Sequence, residues 1–242
     1  MDKRPIAFFD SGIGGSTILK EVMRALPNEN YIYYPDTGNN PYGNKTKEEL
    51  FFIVDQIIKK LLVYDPKIVV CACNTATTMI LKDIRKKYND MIFVGTEPAI
   101  KVAYDYYKDK NTIILTTKGT GDSERFNELL KKYKVNNFRL IEAPLLAELI
   151  EKNGNSYEYL KNLLGNYKNI EVVVLGCTHF PIVKDEIASI LGNPIFIDGS
   201  VGIAKRVNDI LKENNMYNNK YSFDIINASD EVKEKIINII KK

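Results

Sequence analysis

Two apolar runs of this chain end in a thiol. "VVCACNTAT" spans residues 69–77 and "VVVLGCTHF" spans 172–180. Each β-branched stretch stops at a cysteine, Cys73 or Cys177, followed by small polar residues. A thiol becomes useful once its proton is controlled, and a nearby cation or helix N-terminus lowers its pKa from about 8.5. His179, the only histidine of the chain, stands two residues after Cys177, and Cys73 precedes a predicted helix. Two matched groups facing one carbon from opposite sides suit inversion of a stereocentre. One removes a proton as base, the other delivers one as acid, and the roles exchange in the reverse direction. Asp10, which closes "IAFFD", is placed to adjust that protonation, as is His179.

Positioning such groups requires strand ends, and the chain supplies them. Candidate strands are 6–9, 31–35, 67–73, 92–96, 112–117, 138–143, 171–177, 194–198 and 221–226, separated by helical patterns such as 16–26, 46–62, 76–87 and 200–213. Strands apolar on both faces that alternate with helices predict parallel sheets in an α/β architecture. The likeness of 68–77 to 172–181 argues for two pseudo-symmetric parallel-sheet domains with a site in the cleft between them. The expected division is 1–97 plus 208–242 for the first domain and 98–207 for the second, with a crossing near Pro98. Ligands of open parallel sheets bind at the carboxyl ends of the strands. There the sequence places Asp10-Ser11, Asp36, Cys73-Asn74-Thr75, Thr117, Cys177-Thr178-His179 and Asp198.

Composition narrows the class. Apolar residues make up 45% and charged residues 27%, as in globular proteins. A net charge of +3, with Lys and Glu interspersed, argues against nucleic acid as the principal partner. An odd cysteine count of 3 fits free thiols in a reducing compartment. The N-terminus has too short an apolar run for a signal peptide, and no run is long enough to span a membrane. A soluble cytoplasmic protein is expected.

Other motifs point elsewhere less well. "DSGIGGST" (10–17) has Thr17 where a dinucleotide fingerprint needs its third Gly, and it has no Lys for a phosphate loop. In "GNNPYGNKT" (38–46), Asn44 separates Gly43 from Lys45, and Pro41 removes a backbone N–H from any phosphate cradle. Cys71, Cys73, Cys177 and His179 form C-x-C and C-x-H pairs, closer than structural zinc ligands usually stand. No metal is expected. Cys71 reads as a small hydrophobe inside its strand.

Together, "FDSGIGG", "PDTGNNPYGNK", "CNTAT", "GTEPA", "TTKGT" and "LGCTHFP" resemble, in order and spacing, the pattern of the bacterial glutamate racemases, from residue 6 to Asp198. The resemblance implies a homodimeric enzyme without cofactor that interconverts L- and D-glutamate and supplies D-glutamate for peptidoglycan. It places the catalytic thiols on Cys73, the base toward D-glutamate, and Cys177, the base toward L-glutamate. Assisting groups fall on Asp10, Glu151 and His179. Substrate-binding positions fall on Asp10, Ser11, Tyr42, Gly43, Asn74, Thr75, Thr117, Thr120, Thr178 and His179. Lys118 departs from the acidic or neutral residue common at its position, and Phe180 from the usual Tyr. An aspartate racemase, another two-cysteine relative, or a non-catalytic binder of acidic amino acids are the alternatives.

Overall fold

The computed structural model describes residues 1–133 and 138–242. Each predicted strand is present. The first half runs β1 (Ile6–Asp10), α1 (Ser16–Ala25), β2 (Asn30–Pro35), α2 (Lys47–Leu62), β3 (Ile68–Cys71), α3 (Asn74–Lys87) and β4 (Phe93–Gly95). The second runs α4 (Ile100–Tyr107), β5 (Thr112–Thr116), α5 (Lys118–Gly121), α6 (Glu124–Lys132), β6 (Phe138–Glu142), α7 (Leu146–Glu151), α8 (Ser156–Leu164), β7 (Val172–Gly176), α9 (Lys184–Leu191) and β8 (Ile195–Ile197). The chain then returns through α10 (Ser200–Glu213), β9 (Ser222–Ile225) and α11 (Asp230–Lys241).

Two parallel sheets result, ordered β4-β3-β1-β2-β9 and β6-β5-β7-β8. Their orders superimpose as β2-β1-β3-β4 on β6-β5-β7-β8, with β9 added at the edge of β2. In this correspondence β3 matches β7, so Cys73 and Cys177 follow equivalent strands. Registers agree as well: Phe9 pairs with Cys71, and Thr116 with Gly176. The pseudo-symmetric α/β architecture read from the sequence is therefore the architecture of the protein.

Strand alternation sorts the core. Ile6, Phe8, Tyr31, Tyr33, Ile68 and Val70 face one side of the first sheet with α1 and α10. Ala7, Phe9, Tyr34, Val69 and Cys71 face the other side with α2 and α3. Each fully buried large side chain contributes about 1.5–3 kcal/mol relative to exposure. The first of these clusters is continuous with the inner face of the second sheet, through residues including Leu115, Val173 and Leu175. At the sheet end away from the cysteines, Lys67 is wholly buried and its Nζ donates to Glu29 Oε2 at 2.6 Å, Asp2 O at 2.9 Å and Met216 O at 2.8 Å. This cation fastens the N-terminal residues and the connection from α10 to β9 to the start of β3.

Local differences from the sequence reading have physical causes. The α5 turn is unexpected because "KGTG" has poor helix propensity. It forms because the Thr117 side chain accepts from Thr120 N at 3.2 Å. A 3-10 turn over Phe180–Val183, with Pro181 in its first turn, precedes α9. The predicted return at residue 208 would cut α10, which is unbroken and packs on α1. We propose that the first domain resumes at about Ser200, where Asp198 Oδ1 accepts from Ser200 N at 2.8 Å. Asp198 serves this turn.

Candidate active site

The first half contributes its site from the β1 end. Asp10 is fully buried, and its Oδ2 accepts from Gly15 N at 2.7 Å and from Thr178 Oγ1 at 3.5 Å. Its Oδ1 is buried without a hydrogen-bond partner among the described residues. Burial pushes the Asp10 carboxyl up to about 6, opposed by the charge of His179 and by the Gly15 and Ser11 N–H groups. An orphaned carboxylate oxygen in such a place is costly unless a cation or donor arrives to meet it.

Cys73 is the N-cap of α3, with extended backbone at φ −136° and ψ 120°. Ala72 N still donates to Phe9 O at 2.9 Å, so the sheet carries the chain almost to the sulfur. The residue is 5% exposed. Burial, followed by the charge of Asp10, pushes its pKa well up, and the Ala76 N–H opposes this weakly. Cys73 therefore rests as a thiol. Asn74 and Thr75, which follow it, are buried in the first turn of α3.

Cys177 is 7% exposed and has a different neighbour. His179 Nδ1 lies 3.8 Å from its Sγ, and Nε2 donates to Glu151 Oε1 at 2.6 Å. Burial alone would lower the imidazole pKa. Hydrogen bonds to Cys177 and Glu151, with the charge of Asp10, outweigh it and hold the ring well above its ordinary range. An imidazolium thus stands against the second sulfur. Glu151, the last residue of α7, also accepts from Ile13 N at 2.6 Å, joining the two halves. Close approach needs glycine here: a Cβ on Gly12 would sit 1.7 Å from Glu151 Oε1, and one on Gly14 would sit 2.4 Å from His179 Nδ1.

Hydroxyls line the opposite side. Thr75 Oγ1 lies 3.0 Å from Thr117 Oγ1 and 3.3 Å from Thr120 Oγ1, and Thr117 Oγ1 donates to Thr120 Oγ1 at 3.1 Å. This buried triangle also spans the halves. Gly43 packs against it, since a Cβ there would lie 3.2 Å from Thr117 Cβ. Tyr42 is buried, and its hydroxyl donates to Asp36 Oδ2 at 2.7 Å. Asp36, placed at a strand end by the sequence, thereby orients Tyr42. Ser11 is buried, and its carbonyl accepts from Asn40 Nδ2 at 3.3 Å.

The structure thus gathers Asp10, Cys73, Cys177, His179, Glu151, Thr178 and the threonine triangle at the carboxyl ends of both sheets. Sequence reasoning missed Thr17, whose hydroxyl donates to Gly14 O at 2.9 Å and across the halves to Thr178 O at 3.1 Å. No spacing rule marks it, because a Thr in a first helical turn ordinarily bonds only to its own helix. Lys118 points away from the triangle: its Nζ pairs with Asp122 at 2.8 Å, both side chains exposed. Phe180 is wholly buried, in the same core cluster as Val183 and Leu146. Among the described residues, no group of three or more His, Cys, Asp or Glu side chains is arranged to hold a metal ion. Among the described residues, no helix is long and apolar enough to cross a membrane.

Comparison with known proteins bears on this arrangement. The sequence profile of the Asp/Glu/Hydantoin racemase family matches residues 31–205. A glutamate racemase of Clostridium botulinum is 41% identical over 256 aligned residues, covering 100% of this chain and 98% of that protein. The crystal structure of Francisella tularensis glutamate racemase in complex with D-glutamate superimposes with a TM-score of 0.82 at 29% identity, covering 100% of this chain and 95% of that one. Escherichia coli glutamate racemase, solved with L-glutamate and an activator, gives 0.83 at 28% identity, covering 98% and 94%. With a profile that matches most of its length and a relative this similar from end to end, the chain belongs to the Asp/Glu/hydantoin racemase family.

Proposed function

We propose that this protein interconverts L- and D-glutamate through two thiols. The observation that carries this reading is the pair of cysteines at equivalent strand ends of two similar halves, each nearly sealed from solvent. From L-glutamate, Cys177 as thiolate takes the α-proton. The C–H bond breaks, the electron pair stays on the α-carbon, and the Cys73 S–H delivers a proton to the opposite face to give D-glutamate. The reverse reaction exchanges the roles. His179, hydrogen-bonded to Glu151, stabilises negative charge on Cys177 by facing it with an imidazolium. Asp10 meets the substrate ammonium through the unpartnered Oδ1 and borders Cys73.

The two carboxylates of glutamate need several donors, and the site is rich in them. Ser11, Asn74, Thr75, Thr117, Thr120 and Thr178, with Tyr42-Gly43, supply hydroxyls, an amide and backbone N–H groups. Hydroxyls that now satisfy one another in the triangle turn outward to a carboxylate without leaving a group unpaired. The two sulfurs supply both proton steps, so the scheme requires neither cofactor nor metal. The reading extends to a homodimer working in the cytoplasm, where D-glutamate enters peptidoglycan. That the curated relatives over the whole length are glutamate racemases supports glutamate as substrate.

Circular dichroism of the purified protein incubated with L-glutamate or L-aspartate, with and without a chelator, tests this. Loss of the L-glutamate signal to zero in both samples is expected, with L-aspartate turned over poorly. A faster loss with L-aspartate would shift the assignment to an aspartate racemase. Activity abolished by the chelator and restored by zinc would overturn the metal-free scheme. Tight binding of glutamate without optical change would identify a binder.

A further inference from the structure

The last helix of the chain reaches the site from outside. Helix α11 starts at a Ser229 N-cap and packs on α1, with Ile236 wholly buried, so it belongs to the first half. Lys235, the preceding residue, is only 22% exposed along its side chain. Its Nζ donates to the backbone carbonyl of Glu151 at 3.1 Å and pairs with Glu231 Oε1 at 3.0 Å. Glu151 closes α7, and the last carbonyls of a helix have no partner within it. A lysine from another element fills that vacancy here.

The same residue is therefore gripped twice by the first half. Its side chain accepts from Ile13 N and its main chain from Lys235. Between these grips the carboxylate holds His179 Nε2. A turn of the Glu151 backbone would swing Oε1 away from the ring, and the ring away from Cys177. A cavity of 390 Å³, lined among others by Asn40, Glu148, Glu151, Glu231 and Lys235, leaves space for such a turn. Nothing else from α11 bonds to α7 among the described hydrogen bonds and ion pairs.

We infer that Lys235 is a positioning residue for the second thiol: through the Glu151 carbonyl it fixes the orientation of the Glu151–His179 pair and so couples the C-terminal helix to proton transfer at Cys177. The inference rests on the proposed role of His179 and Glu151 in racemisation. Lys235 touches no reacting atom. Its influence falls on the proton-transfer step at Cys177, whichever way that step is crossed, and leaves substrate affinity nearly unchanged, because its contact is with the Glu151 main chain and not with a substrate-binding group.

Lys235→Met retains the aliphatic stem and removes the donor, and Lys235→Arg restores a donor with room in the cavity. Glu231→Gln, at a side chain 74% exposed, is the control for the ion pair. The measurements are kcat and KM in both directions, with primary isotope effects from α-deuterated L- and D-glutamate. For Lys235→Met we expect kcat to fall about 3- to 10-fold, the loss of one hydrogen bond to a cation. The isotope effect should rise from L-glutamate, where Cys177 is the base, and change little from D-glutamate. KM should move less than about twofold. Lys235→Arg should recover most of the rate, and Glu231→Gln should stay within about twofold of the parent. Unchanged kinetics in Lys235→Met, or a raised KM with both isotope effects unaltered, would overturn the positioning role. Thermal unfolding of each variant separates lost stability from lost alignment. Glu151→Gln serves as the reference. If it leaves rate and isotope effects intact, the role of the His179–Glu151 pair itself is wrong; if it is asymmetric while Lys235→Met is not, only the Lys235 inference fails.

Discussion

The ends of β3 and β7 hold the same place in their sheets, yet the sulfurs beyond them have different company. After β3 the helix begins at once, with Cys73 as its N-cap and Asn74 in its first turn. After β7 there is room for Thr178 and His179 before a 3-10 turn, and α9 starts only at Lys184. The residue two after each cysteine shows the consequence. Thr75 joins a neutral hydroxyl triangle with the other half, whereas His179 stands as a cation between Cys177 and Glu151. Beside Cys73 there is the Asp10 carboxylate, and that thiol is driven up. Duplicated architecture fixed where the two sulfurs stand. Burial and the neighbouring Asp10 keep one as a thiol, and His179, two residues on, places a cation beside the other.

Removing a sulfur tests this contrast most severely. Either Cys73→Ala or Cys177→Ala should abolish racemisation, because proton delivery to one face is lost. Each variant should still remove a proton from the enantiomer that faces its remaining thiol. With an analogue carrying a leaving group on the β-carbon, Cys73→Ala should eliminate from the L-form and Cys177→Ala from the D-form. The leaving group released in the elimination is what the assay measures. A variant that processed both enantiomers equally would break the two-face arrangement.

Next in size is the cation itself. His179→Asn should lower the rate by about 10²–10⁴-fold if the ring takes part in proton transfer. Overall kcat/KM values in the two directions are tied by the equilibrium constant, so the isotope effect in each direction carries the information. The effect starting from L-glutamate should change most. Full activity with both isotope effects unchanged would remove His179 from the mechanism and leave the two halves equivalent.

On the Asp10 side the expected effect is on stability. Its carboxyl is raised from 3.8 to about 6 by burial, so the fold prefers it protonated. The stability this group contributes is full below about pH 4 and lost as pH rises through about 6. Asp10→Asn removes the charge, and the amide oxygen can still accept from Gly15 N. The variant should be more stable than the parent above pH 6, by at most about 3 kcal/mol, and equal to it near pH 3. Thermal unfolding across that range measures the difference. A variant less stable at pH 8 would show that ionised Asp10 is well compensated within the site. Racemisation should fall in the same variant, as stability and function oppose each other at such positions.

Much of this contrast is legible in the sequence. Strands such as 68–71 and 172–176 declare themselves because both faces are apolar, and a cysteine breaks the run where such sheets build sites. The nearness of His179 to Cys177 follows from a spacing of two residues. Contacts between distant segments were not legible in this way. Glu151 meets Ile13 N across 138 residues, and Lys235 meets Glu151 across 84. Only the family resemblance singled out Glu151, and nothing singled out Lys235 or Thr17. The α5 turn was hidden because its glycines argue against a helix, while a threonine cap and packing against the Gly43 turn hold it. The place where α10 belongs depends on which sheet its apolar face covers, and a periodic pattern does not name its partner.

The smallest effect is expected at the third cysteine, and it sharpens the comparison by exclusion. Cys71 lies in β3 on the same apolar side as Ala7, Phe9 and Val69, wholly buried. Its Sγ points to the Cys73 carbonyl at 3.7 Å, a weak contact that leaves no polar atom stranded when it is lost. Burial pushes its thiol up to about 12, so it carries no thiolate at neutral pH. Cys71→Ala should therefore cost about 1 kcal/mol of stability for the lost packing. Racemisation and both half-reactions should stay within about twofold of the parent, since surface-remote and non-reacting groups contribute little to the transition state. Alkylation of the native protein should leave Cys71 unmodified until it unfolds, a result mass spectrometry reads directly. Loss of racemisation in Cys71→Ala with an intact fold would mean that a proton passes through β3 itself, and Cys73 could no longer be treated as an acid supplied from the site alone.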